Sequence, residues 1–144
     1  MNREILTFPI DTDQMYDELA YFVEHFRKLG YEYRETLFGS FWGSDYYATS
    51  DWQPVRIPLA DLMAEVHRVE SAGMGHFGRE DLFIKIPPLA IEFRFCNDSD
   101  IHISFESPCE ITEFFYQRWK AHGFSPAEWS RTDEGMPHER LRIN

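Results

Sequence analysis

Cysteine is scarce: Cys96 and Cys109 are the only two in 144 residues, and neither belongs to a CxxC pair. This excludes a disulfide-built scaffold and fits a reducing, cytoplasmic setting. No apolar run approaches the ~18 residues of a membrane-spanning helix, so no membrane segment is expected. The start, MNREILTFPID, lacks an apolar h-region, so no secretory leader is expected. Positive charge is also short, with 14 Lys and Arg against 25 Asp and Glu and a formal net charge of −11. Both halves of the chain share the acidic excess. Nucleic-acid binding needs clustered cations to displace counterions, so that class is set aside. There is no GxSxG, no P-loop, no HExxH and no kinase signature, and no repeat, low-complexity tract or linker.

What remains is a globular composition: 43% hydrophobic, 27% charged and an unusually high 17% aromatic. The length suits one domain, residues 1–144, with no need of a metal or disulfide to fold.

Met15, Leu19, Phe22, Val23, Phe26 and Leu29 recur at three- and four-residue spacing and predict a helix over 13–29, capped by Asp11 or Thr12 and closed by Gly30. Leu59, Leu62, Met63, Val66 and Val69 predict a second helix over 58–72. Ser107-Pro108-Cys109-Glu110 reads as a helix start, with Ser107 as cap, for a third helix over 108–122. The same start grammar at Ser125-Pro126-Ala127-Glu128 predicts a short helix over 126–131. Alternation predicts strands at 31–37, 82–86, 90–96 and 101–106, with edge strands at 3–8 and 139–143. The expected fold is therefore α+β: an antiparallel sheet with its helices on one face. In the 90–106 hairpin the two apolar faces coincide only if Phe95 pairs with Ile101 and Phe93 with Ile103, which puts Arg94 opposite His102 on the other face.

Gly73-Met74-Gly75-His76-Phe77-Gly78 matches the dinucleotide-binding glycine pattern, but it follows a helix and precedes a strand. That mechanism needs the reverse context, so no nucleotide is expected, and the loop is read as a contact site through Met74, His76 and Phe77. Cys109 at a helix start, near Glu106 and Glu110, is not expected to act as a nucleophile with His102. The six histidines form no metal-ligand spacing, so no metal and no cofactor are expected.

Residues 38–54 (FGSFWGSDYYATSDWQP) hold six aromatic rings and two acids, with no Lys or Arg. A stretch this long between regular elements is either functional or a core element such as a hairpin around Gly43-Ser44. Exposed, Trp42, Asp45, Tyr46, Tyr47, Asp51 and Trp52 would form an aromatic-acidic surface for a basic protein partner. In size and charge the chain is similar to bacterial immunity proteins, antitoxins and phage-encoded inhibitors, which implies a partner-binding module and not an enzyme. The alternative is a small-ligand domain or enzyme with the rings lining a pocket over the sheet, served by Arg94, His102 and Asp45. A homo-oligomer that buries the rings between copies is a third reading.

Overall fold

The structure is a computed structural model that describes residues 2–48, 52–87, 89–131 and 137–142. Its elements run β1 (Arg3–Leu6), α1 (Thr12–Lys28), β2 (Tyr33–Phe38), α2 (Ser40–Tyr46), β3 (Val55–Pro58), α3 (Leu59–Ser71), β4 (Leu82–Lys85), β5 (Ile91–Phe95), β6 (Ile101–Phe105), α4 (Glu110–Ala121), β7 (Ala127–Arg131) and β8 (Pro137–Arg142). One sheet carries all eight strands in the order β3-β2-β4-β5-β6-β1-β7-β8, with every neighbouring pair antiparallel. The fold is α+β, as the patterning predicts.

One sheet face is apolar. It presents Ile84 from β4, Ile91, Phe93 and Phe95 from β5, Ile101, Ile103 and Phe105 from β6, and Ile5 from β1, all buried. The α1 stripe of Met15, Leu19, Phe22, Val23 and Phe26 lies over it, with the Phe22 ring 4.9 Å from Phe93. Phe115 of α4 meets the same Phe93 at 4.9 Å, and α3 packs beside α1. Each fully buried Phe contributes roughly 1.5–3 kcal/mol of transfer free energy, so this layer dominates the fold's stabilisation. The β5–β6 register is Phe95↔Ile101, Phe93↔Ile103 and Arg94↔His102, as the parity of the two apolar faces requires.

Four expectations need correction. Residues 127–131 form strand β7, not a helix. Ser125 has φ 50, a left-handed conformation unlike the extended backbone of an N-cap, and the chain after it pairs along the open edge of β1 (Leu6↔Ala127, Glu4↔Trp129). The free amides and carbonyls of β1 outweigh a local start signal. Residues 40–46 form helix α2 and not a hairpin, with Gly43 inside it. A Cβ on Gly43 would sit 2.4 Å from the Phe38 carbonyl oxygen and 2.9 Å from the Trp52 ring. Glycine is there to let that ring lie against the helix. Strand β3 went unforeseen because Val55–Pro58 is short and carries Arg56 and Pro58, as an edge strand can. Finally, Cys109, not Ser107, is the N-cap of α4, with Thr112 Oγ1 accepting from the Cys109 amide at 2.9 Å. The tail strand β8 pairs with β7 over Pro137–Arg142, and Ile143 lies outside the described residues.

Candidate functional site

The face of the sheet opposite the helices is polar at its centre. Side chains two apart on a strand share a face, so β5 and its turn send Arg94 and Cys96 to this side. Asp100 and His102 come from the returning arm, and β1 adds Glu4, whose strand neighbour Leu6 pairs with His102. The turn between the arms is held from three directions. The Asn97 amide donates to Asp81 Oδ1 at 2.8 Å, Ser99 Oγ donates to the Gly78 carbonyl at 3.0 Å, and the Ile10 amide donates to the Ser99 carbonyl at 2.9 Å.

His102 is the hub. Its Nε2 lies 2.9 Å from Asp100 Oδ1, and its Nδ1 contacts Glu4 Oε1. Arg94 Nη2 is also 3.2 Å from Nδ1 and 3.9 Å from Glu4. Both groups at Nδ1 cannot be satisfied by one tautomer. The carboxylate is the closer partner, so Nδ1–H donates to Glu4 and Arg94 acts as a nearby positive charge. Burial works against an imidazolium here, but hydrogen bonds to Asp100, Cys96 and Glu4 outweigh it and hold His102 up at about 11. Burial alone would raise Asp100, yet the bonds from His102 and Asp98 take it down to about 2. Cys96 is pushed up by burial, only partly offset by His102 and Arg94. The donor atoms of Cys96, Asp100 and His102 all lie within 4.8 Å of one another.

A Cys–His–Asp grouping invites a nucleophilic reading, and the geometry argues against it. The thiol is 4% exposed and favours its protonated form, and both imidazole nitrogens already face carboxylates. A base that holds its proton this firmly cannot take another from sulfur.

The aromatic stretch is mostly core. Trp42 is fully buried, its Nε1 donating to the Asp81 carbonyl at 2.8 Å. Tyr47 is buried with its hydroxyl accepting from the Phe38 amide at 3.3 Å. Tyr46 is half-buried and stacks on Phe38 at 4.3 Å. These three rings gather around Phe38 of β2, with Tyr46 reaching Glu65 of α3, and cannot form the exposed cluster that a partner surface requires. Trp52, 47% exposed, and Asp45 remain at the surface, while Asp51 lies outside the described residues. In the glycine loop Phe77 is buried against Tyr16 and Phe95, its amide donating to Glu70 at 3.0 Å, and Met74 packs on the core. His76 alone of the three is exposed. Of the pocket set, Arg94 and His102 do meet, but Asp45 sits exposed on α2 and is not among the groups around them.

Cys96, Asp100 and Glu4 were missed. Cys96 and Asp100 were legible in principle, because the pairing that puts Arg94 opposite His102 also puts Cys96 opposite Asp100 on the same face. Glu4 was not, since only the sheet order brings β1 beside β6. No family model, curated protein or solved structure matches this chain.

Proposed function

We propose that this protein is a binding domain, not a catalyst, and that its site is the cluster of Glu4, Arg94, Cys96, Asp100 and His102, which takes a cation. One observation carries this reading. Two carboxylates, Glu4 and Asp100, with side chains 7% and 10% exposed, converge on a single imidazole. Buried carboxylates demand compensating charge; here the His102 proton and a guanidinium 3.9 Å from Glu4 supply it, and a cation bound between the acids would take over the share that the His102 proton now carries. The test is thermal unfolding of the full chain with Na⁺, Ca²⁺, Zn²⁺ or spermidine. At least one cation should raise the midpoint as a ligand of the native state does, and the Glu4→Gln/Asp100→Asn double variant should lose that rise. An equal response in wild type and double variant would refute the reading.

A second reading, a surface for a basic protein partner, is supported by Trp52. Its ring is held against Gly43 and 6.0 Å from Tyr47, so a half-exposed indole is preorganised on an acidic chain. Rigid exposed Trp is a frequent anchor of interfaces. A partner that co-purifies with wild type and with Phe8→Ala, but not with Trp52→Ala, would support it. Co-purification unaffected by Trp52→Ala would remove it.

A further inference from the structure

We propose that the cation taken by the open-face cluster is a borderline-soft divalent transition metal of the zinc class, ligated by Cys96 Sγ, an Asp100 carboxylate oxygen and His102 Nε2, with Glu4 orienting the imidazole from behind. This rests on the cation-binding reading above and names the chemistry of its ligand.

The spacing is the first support. A tetrahedral zinc ion with bonds of about 2.0–2.3 Å holds its donors roughly 3.3–3.8 Å apart. Cys96, Asp100 and His102 each offer a donor atom, one imidazole nitrogen among them, within 4.8 Å of the other two, so a contraction of about 1 Å closes the site. Asp100 Oδ1 and His102 Nε2 are nearer still, at 2.9 Å.

The donor set is the second support. One thiolate, one imidazole and one carboxylate disfavour Mg²⁺ and Ca²⁺, which require oxygen cages, and suit zinc and its neighbours. The third is the role of Glu4. An imidazole that ligates through one nitrogen nearly always donates its other N–H to a carboxylate or carbonyl. His102 has that arrangement, with Nδ1 on Glu4 and Nε2 toward Asp100. All three donors also come from one hairpin whose turn is fastened to Asp81, Gly78 and Ile10, so they are preorganised without the metal. The small exposed fractions of the Asp100 and His102 side chains, 10% and 12%, open the site to exchange.

The balance of charge is simple. The thiol S–H of Cys96 and the Nε2–H of His102 give up their protons to solvent, sulfur and nitrogen then donate their electron pairs to the ion, and Asp100 ligates as the carboxylate it already is. Thiolate and carboxylate together neutralise the dication.

The test uses the purified full chain, stripped with a chelator and titrated with Co²⁺ and then Zn²⁺. Bound Co²⁺ should give a near-ultraviolet thiolate-to-cobalt charge-transfer band together with visible bands of tetrahedral intensity, and Zn²⁺ should abolish both. Cys96→Ser should lose the near-ultraviolet band with its far-ultraviolet circular dichroism unchanged, whereas Cys109→Ser should keep it. Glu4→Gln should keep the band and weaken affinity roughly 10–100-fold, the effect of loosening a ligand's partner and not of removing a ligand. A band that survives Cys96→Ser, or a folded wild type that binds neither ion, overturns the proposal. If Ca²⁺ or spermidine raises the unfolding midpoint through Glu4 and Asp100 while cobalt gives no thiolate band, the metal class is wrong and the cation reading stands. If no cation shifts the midpoint, both fall.

Discussion

Glu18 shows how a single acid in the helix layer can hold several groups at once. It is 4% exposed on α1, and it accepts from Arg118 Nη2 at 2.6 Å and Nε at 3.1 Å and from Trp119 Nε1 at 2.9 Å. Removing it strands a largely buried guanidinium and a buried indole N–H, and breaking a buried ion pair from one side costs about 3–5 kcal/mol. Glu18→Ala should lose about that much in urea unfolding, and Glu18→Gln clearly less, because an amide oxygen can still accept. A loss below about 1 kcal/mol for Glu18→Ala would show that Arg118 and Trp119 find other partners. Gly43 makes the opposite point about local rules. Ala for Gly inside a helix normally stabilises by roughly 0.5–1 kcal/mol. Here the added methyl meets the Phe38 carbonyl at 2.4 Å and the Trp52 ring at 2.9 Å. Gly43→Ala should therefore destabilise by about 1–3 kcal/mol and change the fluorescence of Trp52. Unchanged stability and emission would mean that the ring does not rest on the helix.

At the scale of elements, the α1–α4 contact carries a proton-sensitive group. His25 stacks on Phe114 at 4.4 Å and meets Phe115 edge-on at 5.4 Å. Burial lowers its pKa first, and Arg118 and Lys28 lower it further. A histidine whose folded pKa lies below its unfolded value of 6.5 is favoured neutral in the fold. Its contribution is full above that value and is lost as pH falls through the folded pKa. The wild-type unfolding midpoint should drop more between about pH 7.5 and about pH 5 than that of His25→Phe, which keeps the stacking and removes the proton. Equal drops would place His25 outside the interface energetics. Strand β7 belongs to the same scale: Ser125-Pro126-Ala127-Glu128 satisfies a helix start locally, yet the edge of β1 claims the residues that follow.

Across the whole molecule the formal charge of −11 sets a field that no single ion pair offsets. The exposed Glu24–Lys28 and Glu65–Arg68 pairs contribute little, as surface pairs do. Self-repulsion among the acids outweighs them, and salt screens it as the Debye length falls from about 30 Å at 0.01 M to about 8 Å at 0.15 M. The urea midpoint should rise between those two NaCl concentrations. A fall would mean that attractive pairs dominate the surface.

The sequence alone determined the elements whose signals are local and repeated. The α1 and α3 stripes, the β4–β5–β6 strands and the Phe95↔Ile101 register all follow from periodicity, because a one-residue slip would turn Ile91, Phe93 and Phe95 to water. Two of the five cluster residues, Arg94 opposite His102, were legible for the same reason. Only the tertiary structure decided which edge Ala127–Arg131 joins, and that Trp42 and Tyr47 point inward while Trp52 stays at the surface. It also decided that Glu4, almost a hundred residues away in sequence, completes the surroundings of His102. The physical reason is one of range. Side-chain periodicity records which face of its own element a residue occupies, but strand order and ring burial depend on which distant edge or cavity satisfies the most backbone groups and apolar surface at once.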